Sequence, residues 1–114
     1  MAKPDMKPDM NVQQLGELFA TIETRKTADP GDSYSAQLLA DLPRATRKLG
    51  EEAAETIVAA LSDDDAALIG EAGDLLYHLL VVLVARGVTL EQLMDELARR
   101  AGTSGLVEKA TRGD

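Results

Sequence analysis

The stretch that decides the fold spans residues 64–86 and reads DDAALIGEAGDLLYHLLVVLVAR. From Leu75 to Ala85 it is apolar on almost every side of a helix, with exceptions at Tyr77 and His78. A helix of this kind must pack on more than one side, so the stretch predicts the central helix of a bundle. Residues 62–65, Ser-Asp-Asp-Asp, supply a turn and an N-cap, and Gly87 suits the residue after the C-cap, so we expect the helix to run from about Asp64 to Arg86.

The flanking segments show helical periodicity and no sustained strand-like alternation. They predict helices over about residues 11–25, from Ser33 to Leu42, from Pro43 to Leu61, and from the Thr89–Gln92 capping box to Gly102. We therefore predict an all-α fold, an antiparallel bundle of four to five helices. Dimerisation should complete it, because one short bundle cannot cover the central helix on every side.

The apolar positions of each flanking helix predict its buried face. They are Val12, Leu15, Leu18, Phe19 and Ile22 in the first helix, Leu49, Ala53, Ile57, Ala60 and Leu61 in the third, and Leu90, Leu93, Met94 and Leu97 in the last. A length of 114 residues favours one domain, which we place at residues 11–102. Residues 1–10, which repeat Lys-Pro-Asp-Met, are predicted to form a disordered tail, and residues 103–114 a loose one.

Composition excludes several classes of protein. The chain has no cysteine, which excludes disulfides, thiolate metal sites and cysteine nucleophiles. A net charge of −8 without a basic patch argues against nucleic-acid binding. No secretory leader is visible, and the apolar run from Leu79 to Ala85 is too short to span a membrane, so we expect a cytoplasmic protein without membrane contact.

Two pairs of carboxylates carry the chemistry that the sequence indicates. Glu52 with Glu55, and Glu71 with Asp74, are each spaced i, i+3, so each pair lies on one side of its helix, beside the apolar stripe. Four like charges at one place repel one another, and a hard divalent cation with oxygen ligands removes that cost. Mg²⁺ often completes its shell with substrate phosphates, so the pattern predicts Mg²⁺ and a phosphate-bearing ligand. The alternative is an ordinary solvated acidic surface.

The same residues carry a resemblance to a known family. The pattern from Glu51-Glu52-x-x-Glu55 to Glu71-x-x-Asp74 resembles the EExxE…ExxD signature of the MazG-like all-α nucleotide pyrophosphohydrolases. Three further blocks, at residues 33–39, 47–55 and 74–80, resemble more closely the phosphoribosyl-ATP pyrophosphohydrolases of histidine biosynthesis. The resemblance covers about residues 15–100. Gly73 departs from the pattern, in which alanine is expected.

The resemblance implies roles for individual residues. Glu52, Glu55, Glu71 and Asp74 would be the metal ligands. Catalytic work would fall to Glu51, Glu52 and Glu55, with Glu51 binding a second ion or activating water and Glu51 or Glu55 taking the proton of that water. Tyr34 would help to bind substrate, or else be a turn tyrosine.

Basic residues and a histidine near the carboxylates are further candidates. Lys48 either holds a substrate phosphate or pairs with Glu52 four residues on, and Arg47 is a weaker candidate for the phosphate, as is Arg44. His78, which shares a face with Glu71 and Asp74, either contacts a phosphate or a ligand carboxylate or is a buried structural histidine.

The function that the resemblance implies is Mg²⁺-dependent hydrolysis of phosphoribosyl-ATP to phosphoribosyl-AMP and pyrophosphate, the second step of histidine biosynthesis. The protein would bind a small nucleotide with an ATP moiety and form a homodimer or a higher homo-oligomer. One alternative is a MazG-like pyrophosphohydrolase that acts on another nucleoside triphosphate. The other is a non-catalytic acidic helical interaction protein.

Overall fold

A computed structural model describes residues 8–102 together with Gly105 and Lys109, with side chains described from Gln13 onward. The described elements are α1 (Pro8–Thr24), a 3-10 turn (Arg25–Thr27), α2 (Tyr34–Leu39), α3 (Leu42–Ala60), α4 (Asp65–Ala85) and α5 (Leu90–Ala101). The described residues form an all-α fold, as predicted. The predicted tails lie mostly outside these residues. However, α1 begins before the predicted Asn11, and Gly105 and Lys109 have helical backbone.

Side-chain caps mark the starts of α2 to α5. The second helix was predicted to reach Leu42, but it ends at Leu39, because Asp41 caps a new helix that begins at Leu42. Ser33, Asp41 and Asp64 each accept a hydrogen bond at 3.1 Å from the backbone N–H three residues on. Thr89 and Gln92 form the predicted capping box. Gly87, with φ +73°, takes the left-handed conformation that ends α4. The helix bounds therefore follow from local chemistry that the sequence already contains.

The core lies against the C-terminal half of α4. Its buried residues come from α1, α2, α3 and α4, and they are Phe19, Ile22, Leu38, Ala45, Leu80, Val81 and Val84. Two residues of the predicted α1 stripe, Leu15 and Leu18, pack against this cluster, whereas the side chain of Val12 lies outside the described part of the chain. The contact between α3 and α4 is the largest in the fold. A loop of residues 61–64 joins the two helices, so they are antiparallel.

The predicted apolar face of the third helix is wrong in part. Ile57 and Leu61 are 63% and 85% exposed, and Ala60 is exposed, whereas the buried residues of α3 are Ala45, Glu52 and Ala59. The reason is that α3 contacts α4 through its small and polar side. The stripe predicted for α5 is confirmed only at its start. Leu90 packs against the core and Leu93 is half-buried, whereas Met94 and Leu97 are 38% and 51% exposed.

Within the described residues, α4 is the one helix that is long and apolar enough to cross a membrane by length and composition, with a mean hydropathy of 1.7 over its best window. The sequence-based expectation considered only the shorter run from Leu79 to Ala85. Yet α4 also carries Glu71 and Asp74 in its interior, and carboxylates are costly within hydrocarbon. The apolar character of α4 is accounted for in part by its packing in the core.

Candidate metal centre

Three glutamates converge where α3 and α4 face each other. Glu52 and Glu55 are three residues apart on α3, and Glu71 reaches the same place from the antiparallel α4. One carboxylate oxygen from each lies within 4.8 Å of the others. Glu52 is only 7% exposed, Glu71 is half-buried and Glu55 is exposed, so the cluster opens to solvent on one side. The predicted convergence of acidic side chains from two helices is therefore present for these three residues.

Two oxygens of this cluster are buried and lack a hydrogen-bond partner among the described residues. They are Oε2 of Glu52 and Oε1 of Glu71. A buried carboxylate oxygen without a partner costs free energy, and such groups are rare unless water or an ion satisfies them. The set of donors is made only of carboxylate oxygens, which suits a hard divalent cation such as Mg²⁺, Mn²⁺ or Ca²⁺. The residues therefore fit a divalent cation.

The electrostatics of Glu71 point the same way. Loss of solvation at the helix contact raises the pKa of Glu71 above the usual 4.5, and the charges of Glu55 and Glu52 raise it further. A raised carboxyl pKa means that the ionised form of Glu71 is destabilised in the metal-free cluster. A bound cation would relieve both the burial and the repulsion.

Asp74, the fourth predicted ligand, lies outside the group of three. It is exposed, although its charge is among the smaller causes that raise the pKa of Glu71. Its role as a ligand stays a prediction. Glu51 is exposed and pairs with Lys48, with 3.1 Å between Oε1 and Nζ. One of the two predictions for Lys48 was a salt bridge to Glu52. In the structure its partner is Glu51 instead.

Lys48 connects the carboxylates with the block around Tyr34. The hydrogen bond and charge of Glu51 raise the pKa of the Lys48 ammonium, and weaker contributions come from Tyr34 and Glu52. The structure thus brings Tyr34, Lys48 and the cluster to one side of the molecule. Arg47 is exposed and has no ion pair with any described residue. The contact of Arg47 with substrate stays a prediction.

His78 is 5% exposed, and both of its ring nitrogens have partners. Nδ1 lies 2.7 Å from the backbone carbonyl of Asp74, and Nε2 lies 3.3 Å from the hydroxyl of Tyr34. A carbonyl oxygen only accepts, so Nδ1 carries the proton and Nε2 of the neutral ring accepts the hydrogen bond from Tyr34. His78 thus contacts the backbone of Asp74 and not its carboxylate.

The side chains around Tyr34 join α2 to α3 and α4. The guanidinium of Arg44 lies 5.8 Å from the centroid of the Tyr34 ring, a cation–π contact, and Nη1 of Arg44 donates to Gln37 at 3.4 Å. Tyr77 is hydrogen-bonded to Ser35 through its hydroxyl. Sequence reasoning ranked Arg44 low and left Gln37 and Ser35 without individual roles.

Thr56 is the residue near the cluster that sequence reasoning missed. Its hydroxyl lies 2.8 Å from the carbonyl of Glu52 and 3.1 Å from the carbonyl of Glu71. The available signal was its spacing, since Thr56 follows Glu52 by four residues and therefore shares its face of α3.

An open groove of about 470 Å³ adjoins the cluster. Its walls are mostly apolar, with Glu55 and Glu71 at one end, and its lining residues are Ala54, Glu55, Val58, Ala59, Ser62, Asp64, Ala67 and Glu71. This volume is within the range of small-molecule sites. A larger groove of about 580 Å³ near Lys26 and Arg86 lies at the other end of α4 and contains none of the cluster residues. The fold and the carboxylates together define an all-helical protein with a candidate centre for a hard divalent cation.

Comparison with known proteins gives the family. The family model described as phosphoribosyl-ATP pyrophosphohydrolase matches residues 15–101. A protein named phosphoribosyl-ATP pyrophosphatase from Erythrobacter litoralis is 56% identical over 101 residues, which are 88% of this chain and 97% of the relative. Proteins of the same name from Rhodobacter capsulatus and Parvibaculum lavamentivorans are 54% and 49% identical, over 87% and 91% of this chain and 97% and 96% of the relatives. The chain belongs to the phosphoribosyl-ATP pyrophosphohydrolase family and is a hydrolase.

Proposed function

We propose that this protein hydrolyses phosphoribosyl-ATP to phosphoribosyl-AMP and pyrophosphate with Mg²⁺, the second step of histidine biosynthesis. The observation that carries the proposal is the cluster of Glu52, Glu55 and Glu71, with a buried and unpartnered oxygen on two of them. Family membership supports the substrate, since the similar proteins are named for phosphoribosyl-ATP. The reaction adds water across the anhydride bond between the α- and β-phosphates, and pyrophosphate leaves.

The carboxylates have two tasks in this proposal. Glu52, Glu55 and Glu71 hold the cation, and Asp74, exposed one turn after Glu71, joins them as a fourth ligand. When bound, Mg²⁺ supplies charge neutralisation for the triphosphate and acidifies a water molecule. Glu51 or Glu55 takes the proton of the attacking water, since both are exposed carboxylates on the same helix as Glu52.

The basic and aromatic residues bind and orient the substrate. Lys48 contacts a substrate phosphate in this proposal, since it carries a positive charge four residues before Glu52 on the same helix, and Arg47 adds an exposed positive charge next to it. Tyr34 is 43% exposed and accessible to a nucleotide. His78 acts through Tyr34, because its own ring nitrogens are already engaged.

The assembly and the location follow as proposals of the same kind. Large apolar side chains are exposed on α3 and α4, and they are Ile57, Val58, Leu61, Ile69 and Leu76. A second copy of the chain would bury them, so we propose a homodimer. We place the enzyme in the cytoplasm and assign it neither a nucleic-acid nor a membrane partner.

The test is release of pyrophosphate by the purified full chain from a panel of phosphoribosyl-ATP, ATP and other nucleoside triphosphates, with Mg²⁺ or with EDTA. We expect Mg²⁺-dependent release from phosphoribosyl-ATP at the highest kcat/KM. The Glu52→Gln variant should lose turnover and keep its helical circular dichroism, whereas Glu17→Gln, an exposed change on α1, should keep both. A preference for another triphosphate would overturn the substrate assignment, and no release from any member would favour a non-catalytic interaction protein.

A further inference from the structure

We infer that Thr56 is a positioning residue of the metal centre, whose hydroxyl fixes the axial register between α3 and α4. The inference rests on the proposed metal-dependent function. It begins from one contact: the Thr56 hydroxyl lies 2.8 Å from the carbonyl of Glu52 on its own helix and 3.1 Å from the carbonyl of Glu71 on the facing helix. These carbonyls belong to two of the three residues whose carboxylates converge.

Of the two hydrogen bonds of the Thr56 hydroxyl, the one within α3 is common in helices and the one to α4 is not. A threonine within a helix often donates to the carbonyl four residues earlier, so the bond to Glu52 alone would carry no meaning. The bond to Glu71 crosses between helices, over fifteen residues of sequence. A hydroxyl has one proton, which the two carbonyls share, and each carbonyl still has a lone pair for its own helix. Thr56 is therefore a polar link between two backbones at the level of the carboxylates.

The side chains of α4 near Glu71 differ in size. Ala67 and Ala72 are half-buried, and so are the larger Leu68 and Leu75, while Ala59 is buried on α3. Helices are held in register when the ridges of one enter the grooves of the other, and alanine forms shallow ridges. A hydroxyl–carbonyl hydrogen bond, in contrast, weakens steeply when its distance or angle changes.

A small slip between the helices would matter to a cation. Each residue rises about 1.5 Å along a helix, and Mg²⁺ requires oxygens at about 2.0–2.1 Å in near-octahedral order. If α4 slipped along α3 by a fraction of one residue, Glu71 would move relative to Glu52. The size of that shift would be a large part of the metal–oxygen distance. Removing a residue that orients metal ligands typically lowers metal affinity by about 10- to 100-fold. We expect the low end of that range for Thr56, about 10-fold, because the ligands themselves stay in place.

The experiment measures Mn²⁺ binding to the full metal-free chain by calorimetry, and thermal unfolding in EDTA. Thr56→Val removes the hydroxyl and retains the branched shape, and Thr46→Val is the matched control. Thr46 lies on the same helix, and its hydroxyl donates to the carbonyl of Pro43 at 2.9 Å and to no group of another helix among the described residues. We expect Thr56→Val to bind Mn²⁺ about 10-fold more weakly than the parent, the low end of the range for residues that orient metal ligands. Its unfolding temperature in EDTA should be nearly unchanged. Thr46→Val should bind Mn²⁺ like the parent.

A second pair of variants separates the hydroxyl from the fit of valine. Thr56→Ser keeps the hydroxyl and should bind Mn²⁺ like the parent, whereas Thr56→Ala should bind as weakly as Thr56→Val. Equal affinity of the parent and Thr56→Val, or of the serine and alanine variants, overturns the positioning role and leaves the proposed function intact. If the parent itself binds neither Mn²⁺ nor Mg²⁺, the proposed metal centre falls, and this inference falls with it.

Discussion

The hydroxyl of Tyr34 lies 3.3 Å from Nε2 of His78 and thereby connects the short helix α2 to the middle of α4. The other ring nitrogen, Nδ1, lies 2.7 Å from the carbonyl of Asp74. His78 is located between the core residues Leu80 and Val81 on one side and the carboxylate-bearing turn of α4 on the other. One imidazole therefore ties a side chain at the surface to the backbone of a proposed metal ligand.

The first prediction concerns the tautomer of His78. Because the carbonyl of Asp74 can only accept, the neutral ring should carry its proton on Nδ1, the less common form in solution. The chain has one histidine, so ¹⁵N spectra of its ring need no assignment. We expect a protonated-type Nδ1 signal and an unprotonated-type Nε2 signal, with the Tyr34→Phe variant shifting Nε2 and not Nδ1. The opposite pattern, with the proton on Nε2, would contradict this arrangement.

The second prediction concerns the cost of the metal-free cluster. The pKa of Glu71 is raised by lost solvation and by the charges of Glu55 and Glu52, so the folded chain takes up its proton at a higher pH than the unfolded chain. Metal-free stability from this group therefore falls as the pH rises through the range above 4.5. Glu71→Gln removes that loss and should unfold at a higher temperature than the parent in EDTA at neutral pH.

Magnesium should reverse the order of these two proteins. The parent should gain thermal stability as Mg²⁺ is added, whereas Glu71→Gln should gain little, because a ligand stabilises only the state that binds it. Glu23→Gln, an exposed change on α1, serves as the control and should behave like the parent. A parent chain that shows no shift with Mg²⁺ would count against the metal centre.

The third prediction uses two glycines with opposite requirements. A Cβ added at Gly73 would meet no described atom within 4 Å, so no contact with the described part of the chain requires glycine between Glu71 and Asp74. Gly73→Ala should stabilise the fold by about 0.5–1 kcal/mol through helix propensity. Gly87 has φ +73°, and Gly87→Ala should destabilise it by about 1–2 kcal/mol. Urea unfolding measures both, and a loss of stability in Gly73→Ala would indicate a close contact outside the single chain.

The fourth prediction concerns the pH dependence of α5. Glu96 pairs with Arg99 and Arg100, each at 2.7 Å, and these partners lower the pKa of Glu96 from 4.5 to about 2. The stability that they contribute is present above pH 4.5 and is lost as the pH falls towards 2. The free-energy difference between the parent and Glu96→Gln should therefore shrink over that range. The control is Gln14→Ala, which changes an exposed side chain without an ionisable group, and for it the difference should stay constant.

The fifth prediction tests the proposed dimer. Leu61 is 85% exposed in the single chain, at the end of the α3 face that also carries Ile57. If a second copy covers this face, Leu61→Asp places a charge in the interface and should produce a monomer. Light scattering should give a parent mass of twice 12.2 kDa and a variant mass near 12.2 kDa. A parent chain that is monomeric at high concentration would refute the dimer.

Helix positions were predictable where a helix carries its own start signal, whereas the start of α1 at Pro8 and the end of α2 at Leu39 differ from the predicted Asn11 and Leu42. Ser33, Asp64 and the Thr89–Gln92 box cap helices where the sequence places them, and the i, i+3 spacing of Glu52 with Glu55 correctly predicts one shared face. These features depend on residues within one or two turns of each other.

The errors concern contacts between helices. Periodicity identified the apolar stripe of α3 that contains Ile57 and Leu61, but it could not tell that α3 turns its small and polar side to α4. The same limit hid Thr56, whose cross-helix bond depends on the register of two helices. Asp74 is near enough to influence Glu71 electrostatically but lies outside the group of three, and spacing along one helix does not determine that difference.

The three convergent glutamates all come from the stretch between Glu52 and Glu71, which is one helical hairpin closed by the loop at residues 61–64. Closing so short a loop costs little chain entropy, and folds with such local contacts form quickly. We therefore expect the hairpin to assemble early in folding, before the contacts with α1 and α2 have formed. The three carboxylates of the candidate metal centre thus come from one contiguous piece of sequence, whereas Tyr34, the proposed substrate contact on α2, reaches the site only through the packing of a helix outside the hairpin.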